Sequence, residues 1–163
     1  MIERFVVVPA VYVFLLRPPT PSGEREVLLQ LRANTGFMDG YWSAACAGHV
    51  EQGESVYEAA AREAVEEVDL REIALSPLCA MQRRRDTGLP IDERVDYFFT
   101  ATRWIGEPRI MEPEKCADIG WFDLDRLPSP VVPHERVVLE HLHAGVVPPI
   151  LTHGFANDVV GEA

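Results

Sequence analysis

One stretch of the chain, residues 48–70, constrains its structure more than any other part of the sequence. It reads GHVEQGESVYEAAAREAVEEVDL. Ser55 followed three residues later by Glu58 forms a capping-box pattern, in which each residue can satisfy a free backbone N–H at a helix start. The alanines that follow have high helix propensity. These features predict a helix that begins at Ser55 and continues through about Val68.

Three carboxylates lie on one edge of this predicted helix. At about 100° per residue, Glu63, Glu66 and Glu67 fall on the same side, next to the face predicted to be buried. Like charges at this spacing repel one another, and Arg62 alone cannot neutralise three of them. Divalent cations can, because Mg2+ prefers carboxylate oxygens and retains waters, one of which can become nucleophilic. The sequence therefore predicts a metal site on this helix.

The rest of the chain predicts a mixed sheet and a second helix. Alternating apolar residues and turn residues predict strands at 5–17, 26–32, 72–85, 93–105 and 121–124, and a helix at 132–145 that Gly145 ends. We expect the apolar run at 5–16 to be a buried strand and not the core of a signal peptide. The pattern predicts one α+β domain over residues 1–145, followed by a C-terminal tail over residues 146–163.

Net charge argues against several classes of binding partner, and the cysteine spacing indicates the redox compartment. The formal net charge is -11, with 15 basic and 26 acidic residues, which argues against binding nucleic-acid polymers or anionic membranes. A small anionic substrate would need cations to screen it from the protein's own charge. Cys46, Cys79 and Cys116 are widely spaced and form no CxxC pair, so we expect a reduced, cytoplasmic protein. We also expect no membrane-spanning segment, because no apolar run is long enough.

The stretch at 48–70 resembles the signature of the Nudix hydrolases, G-x5-E-x7-R-E-U-x-E-E-x-G-U, where U is aliphatic. The matching positions are Gly48, Glu54, Arg62, Glu63, Ala64, Glu66, Glu67 and Leu70. Asp69 stands where the signature has its last glycine. We expect this to cost some stability and no chemistry, because Asp tolerates the left-handed conformation better than most residues. The resemblance implies the Nudix α/β/α sandwich, a mixed β-sheet flanked by helices.

The resemblance also implies roles for individual residues. Glu63, Glu66 and Glu67 are expected to bind Mg2+ or Mn2+, helped by the backbone carbonyl of Gly48 or its neighbour Ala47. Glu63 is also a candidate for orienting or deprotonating the attacking water.

Supporting roles fall to residues around these ligands. Arg62 and Glu54 are expected to form an ion pair that positions the ligands. A further acid is expected in the loop before Trp121, where Glu112 and Glu114 are available. We favour Glu114 as an additional ligand or general base.

Candidate substrate contacts lie outside the signature. Arg32, at the end of its predicted strand, could contact a phosphate, and Tyr41, Trp42 or Phe37 could stack on a base. For Tyr41 and Trp42, the competing interpretation is packing in the core or in a loop. The run of arginines at 83–85 is interpreted as a solvated strand end, with contact to substrate phosphates as the alternative.

The resulting functional hypothesis is a divalent-metal-dependent pyrophosphohydrolase. It would cleave a nucleoside diphosphate linked to another group, X, and the preferred substrate is a nucleoside triphosphate, either intact or damaged. ADP-ribose or another nucleotide sugar is the first alternative. The second is a non-catalytic Nudix-like domain that senses nucleotides. The expected partner is a small nucleotide, and the protein is expected to be a monomer or a homodimer.

Overall fold

The computed structural model of the protein describes residues 4–19, 21, 23, 25–156 and 158. The strands are β1 Val8–Arg17, β2 Glu26–Arg32, β3 Trp42–Ala44, β4 Cys46–His49, β5 Leu75–Arg84, β6 Glu93–Ala101, β7 Cys116–Asp123 and β8 Ile150–His153. The helices are α1 Val56–Val68 and α2 Pro133–Ala144, and a 3-10 turn covers Pro90–Asp92. Part of the predicted turn between β1 and β2, and the end of the predicted tail, lie outside the described residues.

The eight strands form a mixed sheet, as predicted. Its main order is β3-β2-β1-β6-β5-β8, with β4 also pairing with β1 and β7 with β2. The β1–β6 and β5–β8 pairs are parallel, and the other pairs are antiparallel. The predicted hairpin between β1 and β2 is present, with Leu16 opposite Val27.

Strand β1 explains why the sheet has a helix on each face. Side chains of a strand point alternately to its two faces. Val11 and Val13 pack with Ala60 and Ala64 of α1 in one apolar cluster. The alternate residues of β1 pack in a second cluster with α2: Tyr12, Phe14 and Leu16 with Val138, Leu139 and Leu142. Because both faces of β1 are buried, the strand reads as a nearly continuous apolar run, and the fold is the α/β/α sandwich that the resemblance implied.

Helix α1 has the ends that the sequence predicted. The Ser55 hydroxyl accepts from the Glu58 N–H, and the Glu58 carboxylate accepts from the Ser55 N–H. At the other end, Asp69 adopts the left-handed conformation, with φ 58° and ψ 36°. Its carboxylate accepts hydrogen bonds from Arg109. Asp69 therefore takes the conformation for which the signature has glycine, and it adds a side-chain contact that glycine lacks.

Several predicted boundaries shift. Residues 5–7 are exposed and lie before β1, and β7 starts five residues earlier than the predicted strand at 121. Within the predicted tail, Ile150–His153 forms β8, which pairs in parallel with β5. The division into a domain and a tail stays a prediction. No helix among the described residues is both long enough and apolar enough to cross a bilayer.

Candidate functional site

Three carboxylates of α1, those of Glu63, Glu66 and Glu67, line one cavity of about 420 Å3, here called the acidic cavity. Its walls come from α1, from the end of β2, from the loop before α1 and from the loop before β7. The lining residues are Gln30, Arg32, Thr35, Ala47, Glu51, Arg62, Glu63, Glu66, Glu67, Glu112, Lys115 and Cys116. The shared edge predicted for Glu63, Glu66 and Glu67 is therefore present, and it faces a concave surface.

Arg62 ties the loop before α1 to the helix. Its guanidinium donates to both carboxylate oxygens of Glu54, with the shortest contact at 2.7 Å, and to the His49 carbonyl at 3.0 Å. It also donates to Glu63 at 2.7 Å and to Glu66 at 3.2 Å. The hydrogen bond from Arg62 holds the pKa of Glu54 below its usual value. The predicted Arg62–Glu54 ion pair is present, and a bidentate pair of this kind fixes geometry as well as charge.

Glu67 is the deepest acid of the acidic cavity. Its Oε2 accepts from the Ala47 N–H at 2.8 Å and lies 3.5 Å from the Gln30 amide nitrogen. Burial, together with the neighbouring charges of Glu63 and Glu112, raises the pKa of Glu67 to about 8. Burial also raises the pKa of Glu63. A buried carboxyl of this kind ionises readily only when a positive charge is placed beside it.

Gly48 lies directly against Glu63. A Cβ atom on Gly48 would lie 1.9 Å from Glu63 Oε1 and 2.2 Å from its Cδ, so a larger residue cannot occupy this position without moving the carboxylate. The absence of a side chain lets the backbone of β4 approach the acid of α1. This explains why the first position of the signature is glycine.

The donor set of the acidic cavity fits a hard divalent cation. Carboxylates of α1 face the backbone of residues 47 and 48, and oxygen ligands of these types are the ones that Mg2+ and Mn2+ prefer. Among the described residues, no three Asp, Glu, His or Cys side chains are already grouped as a metal site. Glu63 and Glu66 instead bond Arg62, so they would have to turn away from it to bind a cation.

The structure places Glu112, and not Glu114, in the wall of the acidic cavity. Glu112 lines the acidic cavity and accepts a hydrogen bond from Lys115 at 2.8 Å. Glu114, the favoured residue, is exposed and does not line the cavity, and its backbone carbonyl accepts a hydrogen bond from Asn34. The cause is the tight turn at 112–116, in which the N–H groups of Lys115 and Cys116 bond the Glu112 carbonyl.

The candidate substrate contacts separate into two groups. Arg32 lines the acidic cavity and also a second one beside it, and its guanidinium lies over the Phe37 ring at 5.5 Å. Tyr41 and Trp42 line neither cavity. Trp42 packs edge-on against Phe122, with ring centroids 4.8 Å apart, as the packing interpretation expects.

The second cavity, here called the arginine cavity, also measures about 420 Å3. It shares Arg32, Thr35 and Ala47 with the acidic cavity. Its basic residues are Arg32, Arg83, Arg85 and Arg94, and Phe37, Leu89 and Ile91 supply apolar surface. The interpretation of residues 83–85 as a solvated strand end is wrong for Arg83, which is 3% exposed, and holds for Arg84, which is exposed and pairs with Glu93.

Sequence reasoning missed Gln30, Lys115 and the contribution of Arg94. Gln30 left a signal in the sequence, because it interrupts the apolar run of β2, and the structure shows that it is buried. Its amide donates to the Ala44 carbonyl at 3.0 Å and reaches toward Glu67. Buried polar residues normally have such partners, so a polar residue at a core position indicates a nearby polar site.

Comparison with known proteins agrees with this geometry. A family model described as "NUDIX domain" matches residues 7–142. The MutT NUDIX hydrolase of Burkholderia pseudomallei is 29% identical, with a TM-score of 0.67 over 81% of this chain and 96% of that one. Two more distant structures share the fold. The NUDIX domain of Shewanella oneidensis NrtR, complexed with ADP ribose, is 19% identical with a TM-score of 0.67, covering 87% of this chain and 90% of that one. The C. elegans Ap4A hydrolase is also 19% identical, with a TM-score of 0.63 over 85% and 97% of the two chains.

Proposed function

The chain belongs to the Nudix family and is a Nudix hydrolase, and we propose that it cleaves a nucleoside diphosphate linked to a group X, with Mg2+ or Mn2+ as cofactor. Nudix hydrolases generally use divalent cations. The observation that carries the proposal is the convergence of Glu63, Glu66 and Glu67 on one cavity beside the backbone of Gly48. The preferred substrate is a nucleoside triphosphate, either intact or chemically damaged.

In this proposal Glu63, Glu66 and Glu67 hold the cation, together with the carbonyl of Ala47 or Gly48. A bound divalent cation supplies positive charge for the scissile diphosphate and makes an attacking water more acidic. Arg62 keeps the loop before α1 in place through Glu54 and the His49 carbonyl. Water attacks one phosphorus, and a nucleoside phosphate leaves.

Glu63 and Glu112 are the candidates for orienting or deprotonating that water. Both line the acidic cavity, and the charge of Glu112 contributes to the raised pKa of Glu63. Glu112 replaces Glu114 in this role because its side chain lies within the cavity wall. Lys115, held by Glu112, is placed to meet a phosphate oxygen at the same edge.

ADP-ribose is the second candidate substrate. One of the structural relatives, the NrtR domain, is complexed with ADP ribose, and the fold of that domain matches most of this chain. The apolar surface of the arginine cavity at Phe37, Leu89 and Ile91 suits either a base or a sugar. A domain that binds such a nucleotide without cleaving it is the remaining alternative.

A substrate panel tests the proposal. Nucleoside triphosphates, dinucleoside polyphosphates and nucleotide sugars are incubated with Mg2+ or Mn2+ at mildly alkaline pH, and the products are separated by chromatography. We expect release of a nucleoside monophosphate from at least one class, and loss of this activity with excess EDTA. Cleavage of no substrate would remove the hydrolase assignment of this site. If nucleotides also bind under those conditions, the domain acts as a sensor.

The hydrogen bonds that Arg62 makes to Glu54 and to the His49 carbonyl lead to a second prediction. Arg62→Lys keeps the charge but cannot bond Glu54 in two places while also reaching the His49 carbonyl. We expect kcat/KM to fall about 10-fold or more, as for other residues that orient metal ligands. Arg71→Lys is the matched control, because Arg71 is 71% exposed and pairs only loosely with Asp69 at 3.8 Å. Equal activities of the two variants would show that the hydrogen bonds of Arg62 do not position the metal ligands.

A further inference from the structure

The arginine cavity holds two like charges that a sheet normally separates. Arg83 of β5 and Arg94 of β6 are direct partners across an antiparallel pair. Like charges in this position are destabilising. Both residues are also almost fully buried, at 3% and 7% exposure. Such an arrangement persists only if something else in the fold or in its ligand offsets the repulsion.

Asp96 offsets part of that repulsion and orients both side chains. Its fully buried carboxylate accepts from Arg83 Nε at 2.7 Å through one oxygen and from Arg94 Nε at 3.3 Å through the other. Arg83 also reaches the Tyr12 hydroxyl at 3.4 Å. A single carboxylate therefore fixes two guanidinium groups in one place and neutralises one of their two charges.

The other two arginines of the cavity are also incompletely paired. Arg85 Nε is buried and has no hydrogen-bond partner among the described residues, and its nearest carboxylate oxygen, on Asp92, is 3.7 Å away. That carboxylate already accepts from the backbone and hydroxyl of Thr87. Among the described residues, the Arg32 side chain donates its hydrogen bonds to neutral groups, the Phe37 carbonyl at 2.8 Å and the Thr35 hydroxyl at 2.9 Å. The Phe37 ring lies under both guanidinium groups, 5.5 Å from Arg32 and 4.8 Å from Arg85.

Glu135, an acid in the lining of this cavity, does not restore neutrality. Glu135 is buried, and its carboxylate accepts from the Ala44 N–H. Burial raises its pKa to about 8, so the group is mostly protonated at neutral pH. Arg83, Arg85 and Arg94 therefore have two carboxylates as partners, Asp92 and Asp96, in a protein whose net charge is -11, while Arg32 lies between this cavity and the acidic cavity. Positive charge concentrated in this way attracts an anion, and a partly buried guanidinium without a counter-charge is costly.

We propose that the arginine cavity binds a phosphate of the substrate that lies beyond its scissile diphosphate, so that the substrate class is a nucleotide with three or more linked phosphates. This rests on the proposed function, in which the acidic cavity holds the scissile diphosphate. The two cavities meet at Arg32, Thr35 and Ala47, so a phosphate chain can pass from one to the other. Guanidinium groups suit phosphate because they donate two parallel hydrogen bonds to its oxygens. If the group X were a neutral sugar, the excess positive charge of the arginine cavity would have no anionic partner on the substrate.

Binding of inorganic tripolyphosphate in excess EDTA tests the subsite without catalysis. Under these conditions the acids of the acidic cavity repel the probe, and calorimetry reports on the arginine cavity. We expect saturable binding by the unmodified protein, and Arg85→Gln weakens it about 10-fold, as expected for loss of a charge-assisted contact. Arg84→Gln is the matched control, since Arg84 lies beside Arg85 on the chain and pairs outside the cavity with Glu93. It should bind within about 2-fold of the unmodified protein.

Arg85→Lys supplies a further comparison, because it keeps the charge and should recover part of the affinity. Thermal unfolding of each variant identifies any change in folding. Absence of saturable binding, or equal affinity in Arg85→Gln and Arg84→Gln, would overturn the proposal.

A second experiment separates this inference from the proposed function. ATP is compared with ADP-ribose, and GTP with GDP-mannose, because each pair shares its nucleoside diphosphate. We expect kcat/KM to be at least about 10-fold higher for the triphosphates, and Arg85→Gln to reduce that ratio. Equal or better hydrolysis of the sugar nucleotides would overturn the inference and leave the hydrolase assignment intact. If none of the four nucleotides is hydrolysed but tripolyphosphate still binds, the result would contradict the hydrolase assignment and support only the anion site in the arginine cavity.

Discussion

Glu67→Gln is expected to lower kcat by about 100-fold or more, because it removes a charged ligand from the deepest point of the acidic cavity. Gln has nearly the same shape, and its oxygen can still accept from the Ala47 N–H. The substitution therefore removes the negative charge while preserving the packing. Activity of purified protein is measured at saturating Mg2+ on the best substrate of the panel, and Mg2+ affinity is measured separately by calorimetry.

Glu58→Gln is the matched control for this result. It makes the same chemical change on the same helix, but its side chain bonds the Ser55 N–H and lies outside the acidic cavity. Gln is as suitable as Glu at this capping-box position. Activity should remain within about 2-fold of the unmodified protein. If Glu67→Gln behaves like this control, Glu67 is not a metal ligand.

The same carboxyl predicts how stability depends on pH when no divalent cation is present. The pKa of Glu67 is raised to about 8 in the folded protein, above the 4.5 of a free glutamate. The folded state therefore binds the proton more tightly than the unfolded state does, and ionisation destabilises it. The contribution of Glu67 to the stability of the folded state is most favourable below about pH 4.5, and it is lost as the pH rises toward 8. In EDTA, the melting temperature of Glu67→Gln should consequently fall less between pH 5 and 8 than that of the unmodified protein.

Gly48→Ala is expected to damage both stability and catalysis. The added Cβ would lie 1.9 Å from Glu63 Oε1, so either the carboxylate or the backbone of β4 must shift. Overpacking of this kind costs about 1–3 kcal/mol. Displacement of Glu63 should lower kcat by about 100-fold, because small errors in ligand position have large effects on rate. Urea unfolding and steady-state kinetics measure the two effects.

A double substitution identifies the cause. In a Glu63→Ala background, the atoms that the new Cβ would meet are absent, so Gly48→Ala should add little further loss of stability. Neighbouring residues that share one clash are non-additive in this way. Equal stability losses in the two backgrounds would locate the strain elsewhere in β4.

The part of the site that the sequence predicted well is the part built from local contacts. The start of α1 at Ser55 and Glu58 was predicted correctly because each residue bonds the backbone of the other. The common edge of the three acids was predicted because a helix repeats every 3.6 residues. The Arg62–Glu54 pair came from the resemblance to a known signature, and the structure contains it.

The features that the sequence did not predict involve residues whose neighbours are distant in sequence or lie in an irregular loop. Trp42 faces Phe122, and Glu112 instead of Glu114 enters the cavity because of a turn that composition does not reveal. Strand β8 was missed because its four residues carry almost no pattern, and it forms only by pairing with β5. In each case the deciding partner lies more than 60 residues away or in a loop of irregular shape.

The amino-acid sequence by itself determined the helix α1, its acidic edge and the family, since these depend on residues within a few positions of one another. The tertiary structure decided what that edge faces. Only strand register places Arg83 opposite Arg94, with Asp96 between them, and only the packing of β2 against the loop after it brings Arg32 between the two cavities. Register is set by the burial of whole strand faces and by pairing with other strands, and no short segment carries that information.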